Sequence, residues 1–307
     1  MPLDHHVQAF LTSLEEAGAP RYGEQPVDEQ RAAMRASAPT FFGTVTPVPF
    51  EDTVVPRGTA PVPVRVYRPV DHPAPVLVYL HGGGWVLGDV ATIHGVCSSL
   101  ARLSSCVVVS VDYRLAPEHP FPAALEDAWA VIDWLREHAE TIGGRPGAIA
   151  IGGDSAGGNI SAVIARRARD ASVKLGLQLL IYPVCDADLT THSYAEFAHG
   201  YWLTRDAMQW FWEQYLPDGD WFQPDASPLR AEDVASVAPA HIFTAGFDVL
   251  RDEGEAYGRR LKASGVPTVV SRYEGMIHGF FRLPAVVPRA NDALNEAAQA
   301  LRSAFDT

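Results

Sequence analysis

The chain has 307 residues, of which 47% are hydrophobic and 20% are charged, and its formal net charge is -13. This composition is typical of a soluble globular protein. The excess of acidic residues argues against a nucleic-acid partner, because neutralising phosphates requires clustered Lys and Arg. The chain has three cysteines, which is a small and odd number and does not suit a disulfide framework. We therefore expect a reducing, cytoplasmic location. The N-terminus lacks the pattern of a signal peptide, and no run is predicted to span a bilayer.

The N-terminal segment begins with a predicted amphipathic helix. One apolar face at helical spacing is formed by Val7, Phe10, Leu11 and Leu14. Residues 18 to 50 lose this periodicity and gain Gly and Pro, so no regular element is predicted there. The helix and the pair Phe41–Phe42 favour a lid that packs on the rest of the chain over a disordered leader.

Strands and helices then alternate along the chain. The alternating valines Val62, Val64 and Val66 predict an edge strand. Apolar, β-branched runs predict buried strands at 76–80, 106–111, 147–151, 177–182, 241–245 and 268–273, with helices at 93–103, 123–138 and 160–167. This order predicts a mostly parallel sheet with helices on both faces.

Residues 184 to 225 interrupt the alternation with a dense group of aromatic residues. The segment is too long for one crossover helix, which favours a second lid piece over the strand ends. We assign Tyr201, Trp202 and Phe211 to the substrate pocket. The alternative is an ordinary packed helix whose aromatic residues belong to the core.

A candidate nucleophile lies between a predicted strand and a predicted helix. Gly153, Ser155 and Gly157 fit the pattern Gly-x-Ser-x-Gly, and a strand, a sharp turn and a helix form the context of a nucleophile elbow. The glycines suit a turn that needs unusual dihedral angles and close backbone approach. The alternative is a glycine-rich turn without chemistry, so a base and an acid are also required.

Two later residues can supply the base and the acid. Asp248 and His278 each follow a predicted strand, where open α/β sheets place their sites. His278 would accept the proton of Ser155, and Asp248 would orient the imidazole. Asp252 is the rival acid, but it falls about one turn into the following helix.

A glycine-rich loop follows the strand at 76–80. Its exposed backbone N–H groups at Gly83 and Gly84, with that of Ala156, can form an oxyanion hole. We assign His81 a structural role in this loop, and Trp85 either lines the acyl pocket or packs.

Other motifs are incomplete. Leu87 breaks the dinucleotide pattern, and Asn159 stands where a phosphate-binding loop requires lysine. No His or Cys spacing supports zinc. We therefore predict neither a cofactor nor a metal.

The chain resembles the bacterial hormone-sensitive-lipase-like carboxylesterases, also called family IV. The matching motifs are His81–Trp85, Asp112–Ala124, Gly153–Asn159 and Gly275–Phe280. The resemblance implies a single α/β-hydrolase domain over residues 1–307, with a helical cap from about 1–45 and 184–225. It implies Ser155, Asp248 and His278 as the triad, and Gly83, Gly84 and Ala156 as oxyanion donors.

The resemblance also implies hydrolysis of short- to medium-chain acyl esters without a cofactor, and a possible homodimer. We expect the apolar cap to favour uncharged acyl groups. The alternatives are an amidase, deacetylase or lactonase on the same triad, or a non-catalytic ligand-binding receptor. The presence of His278 argues against the receptor.

Overall fold

The computed structural model describes residues 2–58 and 60–305. The described residues form a sheet with the strand order β1-β2-β4-β3-β5-β6-β7-β8. The pairs β1–β2 and β2–β4 are antiparallel, and the other pairs are parallel. The strands are β1 (Phe50–Val55), β2 (Val62–Tyr67), β3 (Ala74–Leu80), β4 (Val107–Val111), β5 (Gly144–Asp154), β6 (Gln178–Ile181), β7 (Ala240–Phe247) and β8 (Thr268–Ile277).

Helices cover both faces of the sheet. They are α1 (His5–Glu16), α2 (Val27–Phe42), α3 (His94–Ser104), α4 (Ala123–His138), α5 (Ala156–Asp170), α6 (His192–Glu196), α7 (Arg205–Tyr215), α8 (Arg251–Ala263) and α9 (Arg289–Phe305). Alternate side chains of β3 pack into two hydrophobic cores, one on each face of the sheet, because successive strand residues point to opposite faces. Val76 and Val78 pack with α4 and α5, whereas Leu77 and Tyr79 pack with α3 and α9. The predicted mostly parallel sheet, covered on both faces, is confirmed.

The predicted edge strand lies one position further inside the sheet. β2, which contains Val62, Val64 and Val66, pairs with β1 on one side and with β4 on the other. β1 is therefore the edge strand, and five of its six residues, Phe50 to Val54, are exposed. Alternation identifies a strand with one buried face, but it does not tell which neighbours the strand has.

The largest departure from the sequence prediction is α2, in the segment for which no regular element was predicted. Its apolar pattern is weak because Gln30 is its one buried residue. The helix is attached mainly through Arg31, which donates to the carbonyl oxygens of Val86 and Ala116 at 2.9 and 3.0 Å. Arg31 also makes a bidentate ion pair with Glu118. Polar anchors of this kind leave no hydrophobic periodicity in the sequence.

The strand ends determine where the functional residues meet. β3 ends at Leu80, β5 at Asp154, β7 at Phe247 and β8 at Ile277. Parallel strands bring their carboxyl ends to one edge of the sheet, which is where open α/β sheets bind ligands. Among the helices of the described residues, none is long and apolar enough to cross a membrane.

We expect Arg31→Met to lower the free energy of unfolding at pH 7 by about 1–2 kcal/mol, since it removes hydrogen bonds to two carbonyl oxygens and one carboxylate. Urea unfolding measures this change. Arg136→Met is the matched control, because Arg136 pairs with Asp133 on the exposed surface of α4 and such pairs contribute little. Equal effects of the two substitutions would contradict the anchoring role.

The same contact predicts a pH dependence. The hydrogen bonds from Arg31 lower the pKa of Glu118 from 4.5 to about 2. A depressed carboxyl pKa stabilises the folded state above the unfolded pKa, and that stability is lost as the pH falls through the folded pKa. The stability advantage of the wild type over Glu118→Gln should therefore be full at pH 7 and shrink between about pH 4.5 and pH 2. An advantage that stays constant down to pH 3 would refute this contact.

Candidate active site

Ser155 lies at a strained turn between β5 and α5. Its backbone has φ 56° and ψ -118°, a region that a residue with a side chain seldom adopts. Three backbone hydrogen bonds hold the turn: Ser155 donates to the carbonyl oxygen of Ile181 at 2.8 Å, and its own carbonyl oxygen accepts from Asn159 and Val184. This backbone conformation holds the Ser155 hydroxyl clear of the end of β5.

The glycines beside Ser155 are required by close contact between α5 and the end of β3. A Cβ on Gly157 would overlap the carbonyl oxygen of Leu80, and a Cβ on Gly153 would overlap the same atom. Backbone atoms cannot move aside as a flexible side chain can. The first turn of α5 can therefore approach the loop after β3 only if both positions lack a side chain.

The three predicted triad residues meet at hydrogen-bonding distances. His278 Nε2 lies 2.9 Å from Ser155 Oγ, and His278 Nδ1 lies 2.8 Å from Asp248 Oδ2. The other carboxylate oxygen of Asp248 accepts from the N–H of Leu250 at 2.9 Å, which fixes the carboxylate in its buried position. A buried carboxylate at Nδ1 holds the imidazole with Nε2 facing the hydroxyl.

The rival acid is engaged elsewhere. Asp252 accepts a hydrogen bond from the N–H of Ser193 at 2.8 Å and pairs with Arg251 at 2.9 Å. Its carboxylate therefore ties α6 to the first turn of α8, whereas Asp248 is the carboxylate that contacts His278.

The glycine-rich loop presents backbone N–H groups beside Ser155. Gly83 and Gly84 have φ 127° and 60°, and both line the cavity next to the hydroxyl. The N–H of Gly82 donates to the Asp154 carboxylate at 2.9 Å. The N–H groups of Gly83, Gly84 and Ala156 make no hydrogen bond within residues 2–58 and 60–305. These three groups are available to an anion.

His81 and Asp154 support this loop from below. The Asp154 carboxylate accepts from both Gly82 and the hydroxyl of Tyr79, so it links the loop to the strand that carries Ser155. The ring of His81 stacks on Tyr113 at 4.3 Å, and its Nδ1 lies 2.9 Å from the carbonyl oxygen of Gly82. Burial lowers the pKa of His81 and favours a neutral ring. These contacts suit the predicted structural role of His81.

A cavity of about 430 Å³, including its open mouth, lies over Ser155. Trp202 and Phe211, which were assigned to the pocket from the sequence, contribute to its wall. The full lining is Tyr22, Met34, Gly83, Gly84, Asp154, Ser155, Tyr182, Trp202, Leu203, Phe211, His278, Gly279 and Arg282.

Two of the residues that the sequence suggested for the pocket, Trp85 and Tyr201, lie outside this lining. Trp85 is fully buried and stacks on Tyr215 with ring centroids 4.2 Å apart, so it packs rather than lining the cavity. Tyr201 packs against Phe197 and Phe247. Neighbouring residues of a loop point in different directions, so an aromatic run alone did not distinguish Trp202 from Tyr201.

Seven lining residues were not assigned to the site from the sequence, among them Tyr22, Met34, Tyr182 and Arg282. Tyr22 and Met34 come from the N-terminal segment, and Arg282 follows His278 in a short 3₁₀ turn. Tyr182 directly follows β6, so its place at the carboxyl edge of the sheet was a usable signal. Its ring lies 4.6 Å from that of His278, and burial raises the pKa of its phenol well above the usual value.

Possible metal ligands lie apart from this lining. The described residues bring Asp4, His5 and His6 close enough together to hold an ion. All three belong to the N-terminal end of α1, and none lines the cavity over Ser155.

A hydroxyl, an imidazole and a carboxylate in line, beside unused backbone N–H groups at the carboxyl edge of a mostly parallel sheet, define an α/β hydrolase. The family described as alpha/beta hydrolase fold matches residues 77–282, which is more than half of the chain. The chain belongs to this family.

Known relatives agree with the resemblance predicted from the motifs. The carboxylic ester hydrolase LipN of Mycobacterium tuberculosis is 43% identical over 282 residues, which cover 89% of this chain and 75% of LipN. The esterase LipI of the same organism is 45% identical over 258 residues, covering 82% of this chain and 81% of LipI. The structure of a thermostable esterase from Pseudomonas putida ECU1011 is 38% identical, with a TM-score of 0.96, and covers 99% of this chain and 98% of that one. The resemblance to the hormone-sensitive-lipase-like carboxylesterases is confirmed.

The contact between α5 and β3 can be tested by adding one methyl group. We expect Gly157→Ala to lower the free energy of unfolding by about 3 kcal/mol or more, because the methyl group overlaps the backbone at Leu80. Urea unfolding measures the loss. Gly254→Ala in α8 is the control, since its methyl group would lie 3.3 Å from Thr244 Cγ2 and should cost less than about 1 kcal/mol. Wild-type stability in Gly157→Ala would show that the contact is not tight.

Proposed function

We propose that the protein is a serine carboxylesterase that hydrolyses short- to medium-chain acyl esters through an acyl-enzyme intermediate. The observation that carries the proposal is the pair of hydrogen bonds from His278 to Ser155 and Asp248, at 2.9 and 2.8 Å. The relatives named as esterases support the same reaction class.

In the first half of the reaction, Ser155 Oγ attacks the ester carbonyl carbon while His278 Nε2 takes the hydroxyl proton. The carboxylate of Asp248 stabilises the resulting imidazolium. The tetrahedral intermediate then collapses, and the imidazolium gives its proton to the departing alcohol. The product of this half is an ester between the acyl group and Ser155.

The negative charge that develops on the carbonyl oxygen needs donors already in place. The N–H groups of Gly83, Gly84 and Ala156 have no other acceptor among the described residues. A donor of this kind typically stabilises the transition state by about 3 kcal/mol. The start of α5 adds the positive end of its helix dipole at the same point.

The second half repeats the chemistry with water. His278 Nε2 takes a proton from the water as its oxygen attacks the acyl carbon, and the same imidazolium then protonates Ser155 Oγ. The carboxylic acid leaves, and the starting hydroxyl is restored. Every proton transfer uses residues of this chain, so the cycle requires no cofactor.

The N-terminal segment and the 184–225 insertion act as a cap over this site. Tyr22 and Met34 from the first, with Trp202, Leu203 and Phe211 from the second, wall the cavity above Ser155. These bulky side chains limit the space for the substrate, which favours short acyl chains over long ones.

The location and assembly of the protein remain predictions. Cys97, Cys106 and Cys185 are all free and buried, which favours a reducing, cytoplasmic location. A homodimer is predicted by the family resemblance alone.

Ester and amide hydrolysis use the same catalytic residues, so the two activities are distinguished by comparing an ester substrate with an amide substrate. We expect hydrolysis of p-nitrophenyl acetate and much slower hydrolysis of p-nitroacetanilide, which has the same acyl group. Faster cleavage of the anilide would favour the amidase alternative, and a preference for cyclic esters would favour the lactonase.

We expect Ser155→Ala and Asp248→Asn each to lower kcat for p-nitrophenyl acetate at least about a thousandfold while the circular dichroism spectrum is unchanged. Asp252→Asn is the matched control and should retain most of the activity, because its carboxylate contacts Ser193 and Arg251 instead of His278. An active-site organophosphonate should label the wild type once and Ser155→Ala not at all. Persistent turnover by Ser155→Ala would refute the mechanism, and an unlabelled, inactive wild type would favour the receptor alternative.

The size of the cavity predicts acyl-chain selectivity. Phe211→Ala should raise the rate ratio of p-nitrophenyl dodecanoate to p-nitrophenyl acetate about tenfold, because it removes an aromatic wall of the cavity. Phe222→Ala serves as the control, since Phe222 lies in the same insertion but is 48% exposed and outside the lining. An unchanged ratio in Phe211→Ala would mean that another wall limits the acyl chain.

A further inference from the structure

Arg282 brings a positive charge into the cavity over Ser155. It ends the 3₁₀ turn Phe280–Arg282, four residues after His278, and its side chain is 16% exposed. It is the one Lys or Arg among the described residues that line the cavity. Arginine is seldom buried to this extent unless its charge is paired.

The acidic neighbour of Arg282 satisfies it only in part. Asp154 Oδ2 lies 3.9 Å from Arg282 Nη1, which is an ion-pair distance but too long for a hydrogen bond. Asp154 Oδ1 already accepts from Gly82 and Tyr79. A guanidinium carries five N–H donors. The guanidinium of Arg282 donates no hydrogen bond to another described residue. The donors are therefore available to a group that enters the cavity.

The charge of Arg282 also acts across the cavity. Burial raises the pKa of Tyr22 and of Tyr182, and the positive charge of Arg282 opposes the rise in both. These two side chains come from the N-terminal segment and from the end of β6, and both line the cavity. An anionic group held between them and Ser155 would meet the same field.

We propose that Arg282 selects ester substrates that carry a carboxylate group, such as half-esters of dicarboxylic acids. The guanidinium would bind that carboxylate through paired N–H donors, as planar forks do, while Ser155 attacks the ester carbonyl. This inference rests on the proposed esterase function and names its substrate class. It replaces the expectation, drawn from the apolar lid residues, that uncharged acyl groups are favoured.

A purely structural role is the competing explanation. Arg282 could stabilise Asp154 and, through it, the loop that carries Gly83 and Gly84. Loss of that support would slow all esters alike, because the oxyanion donors act on every substrate. Recognition of a carboxylate would slow the charged esters selectively. A comparison of charged and neutral esters of equal shape therefore separates the two roles.

The test uses two matched substrate pairs. Monoethyl succinate and ethyl levulinate have nearly the same shape, but the first carries a carboxylate on the acyl side where the second has a methyl ketone. Acetoxyacetate and acetoxyacetone make the same comparison on the alcohol side. The measured quantity is the ratio of kcat/KM for the charged ester to that for its neutral partner, at pH 7 and low salt.

We expect the wild type to prefer the charged member of at least one pair, which also shows on which side the carboxylate binds. Arg282→Met should lower that preference about 10- to 100-fold, because a charge-assisted hydrogen-bond pair is lost. Arg282→Lys should retain part of the preference, since it keeps the charge but not the planar fork. Arg136→Met removes an equal charge from the exposed surface of α4 and should leave the ratio unchanged.

Three results would overturn the assignment. They are a wild type that prefers the neutral member of both pairs, an Arg282→Met variant that slows charged and neutral esters equally, and an unchanged ratio in Arg282→Met. Failure of the esterase function itself would look different, because the wild type would then hydrolyse neither ethyl levulinate nor p-nitrophenyl acetate.

Discussion

The site depends on one close backbone contact, between the first turn of α5 and the end of β3. Gly157 and Gly153 lie so near the carbonyl oxygen of Leu80 that neither position has room for a Cβ. This contact sets Ala156, at the start of α5, beside the loop that carries Gly83 and Gly84. If the two elements separated by even an ångström, their N–H groups would no longer suit the proposed oxyanion hole, which requires donors already in position.

The sheet makes that contact rigid. Four strand ends, those of β3, β5, β7 and β8, bring the glycine-rich loop, Ser155, Asp248 and His278 to one edge. The strained dihedral angles of Ser155 persist because its backbone donates a hydrogen bond to Ile181 and accepts hydrogen bonds from Asn159 and Val184. Helix α2, which belongs to the proposed cap, is joined to the same supports, since Arg31 donates to the carbonyl oxygen of Val86, three residues after Gly83. The proposed cap and the glycine-rich loop thus share one framework.

Much of this arrangement could be predicted because its causes are local. Buried parallel strands require continuous apolar runs, so each of β3 to β8 was predicted, although β5 and β8 extend three to four residues beyond the predicted ends. The turn at Ser155 requires glycine, and chain order placed Asp248 and His278 at strand ends that a parallel sheet brings together. Helix α2 was missed for the opposite reason. Its attachment through Arg31 to distant carbonyl oxygens leaves no periodic pattern, and the position of β2 inside the sheet depended on pairing with β1.

The amino-acid sequence by itself determined the class of fold, the succession of strands and helices along the chain, and the residues able to form a nucleophile elbow, because steric limits and hydrophobic periodicity act between neighbours in the chain. Only the tertiary structure decided which side chains face the cavity. The side chains of Trp85 and Tyr201 pack against other aromatic rings, whereas those of Trp202, Tyr182 and Arg282 line the cavity over Ser155. Side-chain direction in a loop follows from contacts with residues far away in the sequence, and that information is absent from any local pattern.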